Sequence, residues 1–144
     1  MKQKQTMLIA LIFALAFAVI ACDNGRDDPS QPHESTITAF GKTIAVKGDA
    51  SISTADFNTA KGKLGEAMTE LDNGITPGAQ RDKFISMVNR EGFTILIKTG
   101  NAEPDADANK SMTIGVDYLL NNDAELTIAG AIRSKVHTEN AFAD

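Results

Sequence analysis

From Met7 to Ala21 the chain runs MLIALIFALAFAVIA, fifteen residues without a charged or hydrogen-bonding side chain. No other segment restricts the possible architectures as strongly. A helix needs roughly 20 apolar residues to cross about 30 Å of hydrocarbon, so fifteen is short for a span. Lys2 and Lys4 are the only charges before the run ends. A basic start, a short apolar core and a small residue at its end are the pattern of a secretory signal. Residues 1–21 are therefore read as a signal peptide and take no part in the fold.

The sole cysteine of the 144 residues, Cys22, stands where the run stops. Ala21 and Val19 satisfy the small-residue preference of ordinary signal peptidase, so a plain cut is one reading. The other follows from Val19-Ile20-Ala21-Cys22, which resembles the lipobox of bacterial lipoproteins, Leu-Ala-Gly-Cys and its relatives. Ile20 stands where that family more often has Ala or Ser, and the resemblance covers the first 22 residues only. It implies a diacylglycerol on the sulfur of Cys22, cleavage just before it, acylation of the new amine, and residence on the extracytoplasmic face of a membrane. The residue type fits, because a thiolate is the nucleophile such alkylation requires. A lone cysteine has no internal disulfide partner; the bland alternatives are a small residue ending a signal, or a thiol for an intermolecular bridge. Burial of acyl carbons is worth about 0.8 kcal/mol per CH₂, and two chains anchor stably where one does not. In lipoproteins of double-membraned bacteria, Asp directly after the cysteine, here Asp23, is associated with the inner membrane.

Residues 22–35 are read as the attachment cysteine and a tether. DNGRDDPSQPHES has no large apolar side chain and cannot bury enough surface to order itself. As a flexible spacer it has about 20 Å of root-mean-square reach and at most about 45 Å. His33 within it is read as a solvated linker residue. Residues 36–144 remain for one compact domain. Removing Lys2 and Lys4 leaves 12 basic against 19 acidic residues, a formal charge of −7. That balance argues against nucleic acid and against basic adhesion to anionic lipid. Without Trp and with one Tyr, aromatic platforms for bases or sugars are scarce.

Within the domain, STITAF and TIAVKG read as short strands rich in β-branched residues. Gly41-Lys42 between them suits a two-residue type II′ turn. Ser53 or Thr54 caps a helix to about Asp72, with Phe57, Ala60, Leu64, Met68 and Leu71 on one stripe, stopped by Asn73-Gly74. A second helix starts near Pro77 and carries Phe84, Ile85 and Val88 to Gly92. FTILIKT reads as a strand with Phe93, Ile95 and Ile97 on one face. After a polar loop, residues 112–120 alternate through Met112, Ile114, Val116, Tyr118 and Leu120, and Leu126, Ile128 and Ile132 suggest the second arm of a hairpin. The expected fold is α+β, a small two-layer sandwich in the order ββααβββ, with a mostly antiparallel sheet and two helices on one face.

Few constellations carry chemistry. Gly41-Lys42-Thr43 is similar to the end of a phosphate-binding P-loop, but Thr36 stands where the motif needs its first glycine and a strand follows where it needs a helix. Asp105-Ala106-Asp107-Ala108-Asn109 spaces oxygen ligands as a calcium loop does, yet the sixth position is Lys110 and the twelfth Val116; a solvated acidic loop is the plainer reading. His33 and His137 are far apart in sequence and do not form a transition-metal motif. Gly62 and Gly65 inside the first helix suggest close packing on the sheet, with Lys61 and Lys63 beside them as a less favoured anion site. No GxSxG elbow, HExxH helix or Cys-His pair is present. No catalytic, cofactor or metal residue is assigned. The reading is a lipid-anchored envelope protein with a non-catalytic binding or structural domain, its partner a protein or small ligand. The alternative is a small envelope hydrolase or transferase whose carboxylates, Asp105 and Asp107 on a cation among them, meet only in the fold.

Overall fold

The structure, a computed structural model, describes residues 31–107 and 111–138. Cys22 and Asp23 lie outside the described residues, as do Asn109 and Lys110. The chain is an α+β sandwich in which a five-stranded mixed sheet carries its helices on one face.

Strand β1 (His33–Ala39) and strand β2 (Lys42–Gly48) form the leading hairpin. β1 starts at His33, inside the segment read as tether. Pairing runs from His33↔Gly48 to Ala39↔Lys42, which leaves Phe40-Gly41 as the two-residue loop. The turn is thus one residue earlier than expected and of a different kind. Phe40 and Gly41 both have positive φ, 53° and 70°, as a type I′ turn demands and a type II′ turn does not. For phenylalanine that conformation is a genuine outlier. Three contacts hold it there. The Phe40 N–H donates to Asp72 Oδ2 at 2.9 Å, the ring stacks on Phe84 at 5.2 Å, and the Arg81 guanidinium lies over the ring at 5.1 Å.

Helix α1 (Thr54–Gly74) begins at Ser53, whose hydroxyl accepts from the Asp56 N–H, and buries Phe57, Ala60, Leu64, Ala67, Met68 and Leu71. The three-and-four spacing makes that stripe one face of the helix. Helix α2 (Ala79–Asn89) starts two residues after Pro77, at a Gly78 cap, and buries Phe84, Met87 and Val88. Strand β3 (Thr94–Lys98) follows, with Phe93, Ile95 and Ile97 buried as expected. The polar loop holds a two-residue strand, β4 (Asp105–Ala106).

The C-terminal third departs from the alternating pattern. Strand β5 stops after Met112–Gly115, and the chain becomes helix α3 (Val116–Asn121), a π-helical turn over Ala124–Ile128 and helix α4 (Ala129–Thr138). Residues 124–138, read as a second hairpin arm, are helical instead. The cause is local. Gly115 donates its N–H to the Ala102 carbonyl at 2.8 Å, and Asp117 donates to the Gly100 carbonyl at 3.0 Å. The loop thereby ends the β5 ladder and caps the start of α3. Asp123 then accepts from the Leu126 N–H at 2.8 Å, an Asx cap that opens the next helical segment. Ile128, Ile132 and Val136 are buried at helical spacing, whereas Leu126 stands 81% exposed.

The sheet order is β1-β2-β3-β5-β4. β1 with β2 and β4 with β5 are antiparallel; β2 with β3 and β3 with β5 are parallel. The sheet is mixed, not mostly antiparallel, because α1 and α2 form a crossover long enough to return the chain in the same direction. Ile37, Ile44, Val46, Ile95, Ile97, Met112 and Ile114 share the helix-covered face and the core. Among the described residues no helix is long and apolar enough to cross a membrane.

Candidate functional site

The strand alternation that buries one face turns Glu34, Thr36 and Thr38 of β1, Thr43, Ala45 and Lys47 of β2, and Leu96 and Lys98 of β3 to the other, where they are exposed or half-buried. Among the described residues no helix covers this face, although parallel strands are usually covered on both sides. A depression of about 420 Å³ runs along it, lined by Glu34, Ser35, Thr36, Ala45, Val46 and Lys47. Glu34 and Lys47 approach to 3.5 Å with both side chains mostly exposed, a pair worth about 0–1 kcal/mol.

β1 is one edge of the sheet and β4 the other, and the two edges are unlike. β4 has two residues. Its Asp105 pairs with Lys135 at 3.2 Å; that hydrogen bond first, then one from the Ala106 N–H and the Lys135 charge, lower the carboxyl from its ordinary range. β1 has seven residues in unbroken register. In a two-residue hairpin the pair flanking the loop exchanges both backbone bonds, and the exchange repeats at every second residue. Ala39, Ile37, Ser35 and His33 therefore face β2. The N–H and C=O groups of Glu34, Thr36 and Thr38 point away from the sheet, along an edge that no other described strand pairs with.

His33 is not a solvated linker residue. Its ring stacks on Phe57 at 4.7 Å and 14°, and Nε2 lies 2.6 Å from the Ile52 carbonyl. Its cross-strand partner Gly48 leaves room for that Phe57 ring, because a Cβ there would come within 2.5 Å of it. His137 sits edge-on to Phe84 at 5.0 Å and 85°, with Nε2 3.0 Å from the Gln80 carbonyl. Each histidine is thus tied into packing.

At the described ends of the acidic loop the Asp107 N–H donates to the Ser111 carbonyl at 2.9 Å, and Asp107 Oδ1 accepts from the Ser111 N–H at 2.8 Å. Among the described residues no group of three His, Cys, Asp or Glu could hold a metal ion. Lys61 donates to Ser35 Oγ at 3.0 Å, and Lys63 donates to the Leu120 and Asn122 carbonyls at 2.8 and 3.0 Å. These lysines bind neighbouring elements instead of framing an anion site. A Cβ on Gly65 would make ordinary contact with Ile37 at 3.7 Å, and one on Gly62 would meet nothing within 4 Å. Neither glycine is required by close packing.

A second concavity, about 250 Å³, lies where the end of α1 meets the π-helical turn and α4. Glu70, Gly74, Glu125, Leu126, Gly130 and Arg133 are among its lining. The helical course of residues 124–138 forms it; the four-residue spacing of Ile128 and Ile132 is the one local signal for that course, and a strand reading passes over it. Sequence reasoning also missed the free edge, since strand order is not written in local pattern. Comparison with known protein families, with curated proteins and with solved structures finds no match to this chain.

Proposed function

We propose that this chain is a lipoprotein of the cell envelope, attached to a membrane through lipid on Cys22, whose domain is a non-catalytic interaction module. The observation that carries the reading is the junction itself: a fifteen-residue apolar run after two lysines, closed by Val19-Ile20-Ala21 and the sole cysteine. Eleven positions separate Cys22 from His33, where β1 begins. Fully extended, that length is at most about 40 Å, so an anchored domain stays near the bilayer with its first strand closest in sequence to the lipid. The interaction role is supported by the sheet face and the β1 edge, which no other described element covers, since an exposed strand edge is a template for pairing.

The test is the mass of the mature N-terminus together with membrane fractionation, for the natural chain and for Cys22→Ser. The expected result is a chain beginning at Cys22 with diacylglyceryl mass, released from membranes by the substitution. An unmodified chain recovered in the soluble fraction overturns the anchor.

A further inference from the structure

We infer that β1 pairs with β1 of a second copy of this chain, antiparallel about a two-fold axis through Thr36, to give one continuous ten-stranded sheet. The inference rests on the anchored reading only where it concerns how two tethers reach one bilayer.

The geometry admits this register in particular. Outward-facing backbone groups belong to Glu34, Thr36 and Thr38, the positions between those that face β2. An antiparallel partner must place its own outward positions opposite them. With the axis at Thr36, the middle of the seven-residue strand, Thr36 faces Thr36, and Glu34 faces Thr38 in both directions. All three positions form hydrogen-bonded pairs, about six backbone bonds in all. The one charged residue on the strand meets a threonine and never its own copy, so no like charges oppose directly.

The edge lacks the usual defences. It is long, has no bulge, and contains neither Lys nor Pro within His33–Ala39, whereas natural edges are commonly shortened, charged or bulged. β4, two residues long and ion-paired, shows the blunted alternative within the same sheet. The helix above the edge agrees. Lys61 and Gly65 contact β1 from α1, so by helical spacing Asn58, Gly62, Thr69 and Asp72 share the side toward the edge. Asp72 is the one acidic residue of these four, and its carboxylate is paired with Arg81 and accepts from the Phe40 N–H.

The symmetry also suits a shared membrane. A two-fold axis joining two edges into one sheet stands perpendicular to that sheet. The two His33 residues then lie at equal height along the axis, about 20 Å apart. Both tethers can reach one bilayer when the axis follows the membrane normal, and confinement to that surface raises the effective concentration of each copy for the other.

The experiment places a single reporter thiol at the axis. Thr36→Cys is made in the natural full-length chain, assayed in membranes, and again on the Cys22→Ser background as purified protein. Paired Cα atoms at hydrogen-bonded positions lie about 5.5 Å apart, within disulfide range. Thr38→Cys is the control, its copy being offset by about 14 Å. The expected result is a covalent dimer under mild oxidation or with a short bis-thiol reagent at position 36, at least tenfold more than at position 38. Thr36→Pro, which removes an outward N–H and no bond to β2, is expected to keep the far-ultraviolet circular dichroism and to give a monomer by sedimentation. Equal cross-linking at both positions, none at 36, or a cross-link at 36 to a different protein overturns self-pairing. A missing lipid mass on Cys22 with cross-linking intact at 36 overturns the anchor and leaves the dimer standing.

Discussion

Phe40 offers a sharp test, because two effects of opposite sign meet at one residue. Its backbone is left-handed at φ 53°, which costs an L-residue roughly 1–2 kcal/mol. Its ring is buried, stacked on Phe84 at 5.2 Å with the Arg81 guanidinium over it, and removing a buried Phe ring costs about 3–5 kcal/mol. Packing should win, so Phe40→Gly is expected to destabilise by about 2–4 kcal/mol even though it releases the strain. Phe40→Ala isolates the backbone. It deletes nearly the same ring but keeps the left-handed penalty, while glycine loses roughly 0.4–1 kcal/mol through greater freedom of the unfolded chain. At this position glycine should therefore be more stable than alanine by about 0.8 kcal/mol, the reverse of their order in ordinary strands and helices. Urea denaturation of the three proteins, with slopes checked for equality, reads both differences. If alanine proves the more stable, the turn is not strained as described. If Phe40→Gly is neutral, the ring does not hold the hairpin to the helices.

Three further outcomes follow from other sites. A Cβ on Gly115 would lie 2.3 Å from the Gly100 carbonyl oxygen and 2.4 Å from the Ala102 nitrogen, so Gly115→Ala should displace the loop, weaken two backbone bonds, and cost about 3 kcal/mol by urea denaturation; a loss under about 1 kcal/mol would show that the loop does not rest on that residue. Gly130 is exposed in α4, and a methyl group added there would meet nothing within 4 Å, so Gly130→Ala should raise stability by about 0.5–1 kcal/mol; no rise in the thermal midpoint would mean α4 is not helical there. Burial first, and the Glu103 charge second, raise the Tyr118 phenol above its ordinary range. The stabilisation from this neutral phenol is complete below the unfolded value near 10 and is lost as pH rises through the higher folded value. Tyr118 is the only tyrosine, so phenolate absorbance follows it directly, and titration at the ordinary value would contradict its burial.

The sequence made some of this structure legible and hid the rest for physical reasons. α1 could be read because Phe57, Leu64, Met68 and Leu71 repeat at helical spacing behind a Ser53 cap. β3 could be read because Ile95 and Ile97 alternate with half-buried and exposed neighbours. Residues 112–120 satisfy a period of two equally well on both sides of Gly115, so local pattern could not locate the switch. What ends β5 is a loop arriving from Gly100–Ala102, a tertiary event. The same holds for Phe40: its side chain argues against a left-handed turn, and the partners that hold it, Asp72 and Phe84, stand more than thirty residues away. His33 resembles linker because its neighbours are polar, while its stacking partner Phe57 belongs to α1. The free edge of β1 depends on strand order, which no window of sequence contains.

The parallel pairing of β2 with β3 has a consequence in time. Ala45 finds its partner at Thr94, so that ladder forms only after α1, α2 and their loops have been made and closed into one long crossover. Closing long loops comes before the contacts that reward it, and folds dominated by such pairings assemble slowly. Until then the β1–β2 hairpin is a two-stranded ribbon with both sides free, and an isolated ribbon is marginally stable in water. Its turn is the least settled part, since Phe40 meets neither the Asp72 carboxylate nor the Phe84 ring until the helices dock. The hairpin therefore precedes in the chain the helices that restrain it, and a factor that shields it during that interval should raise the yield of folded protein more than one acting on the finished sheet.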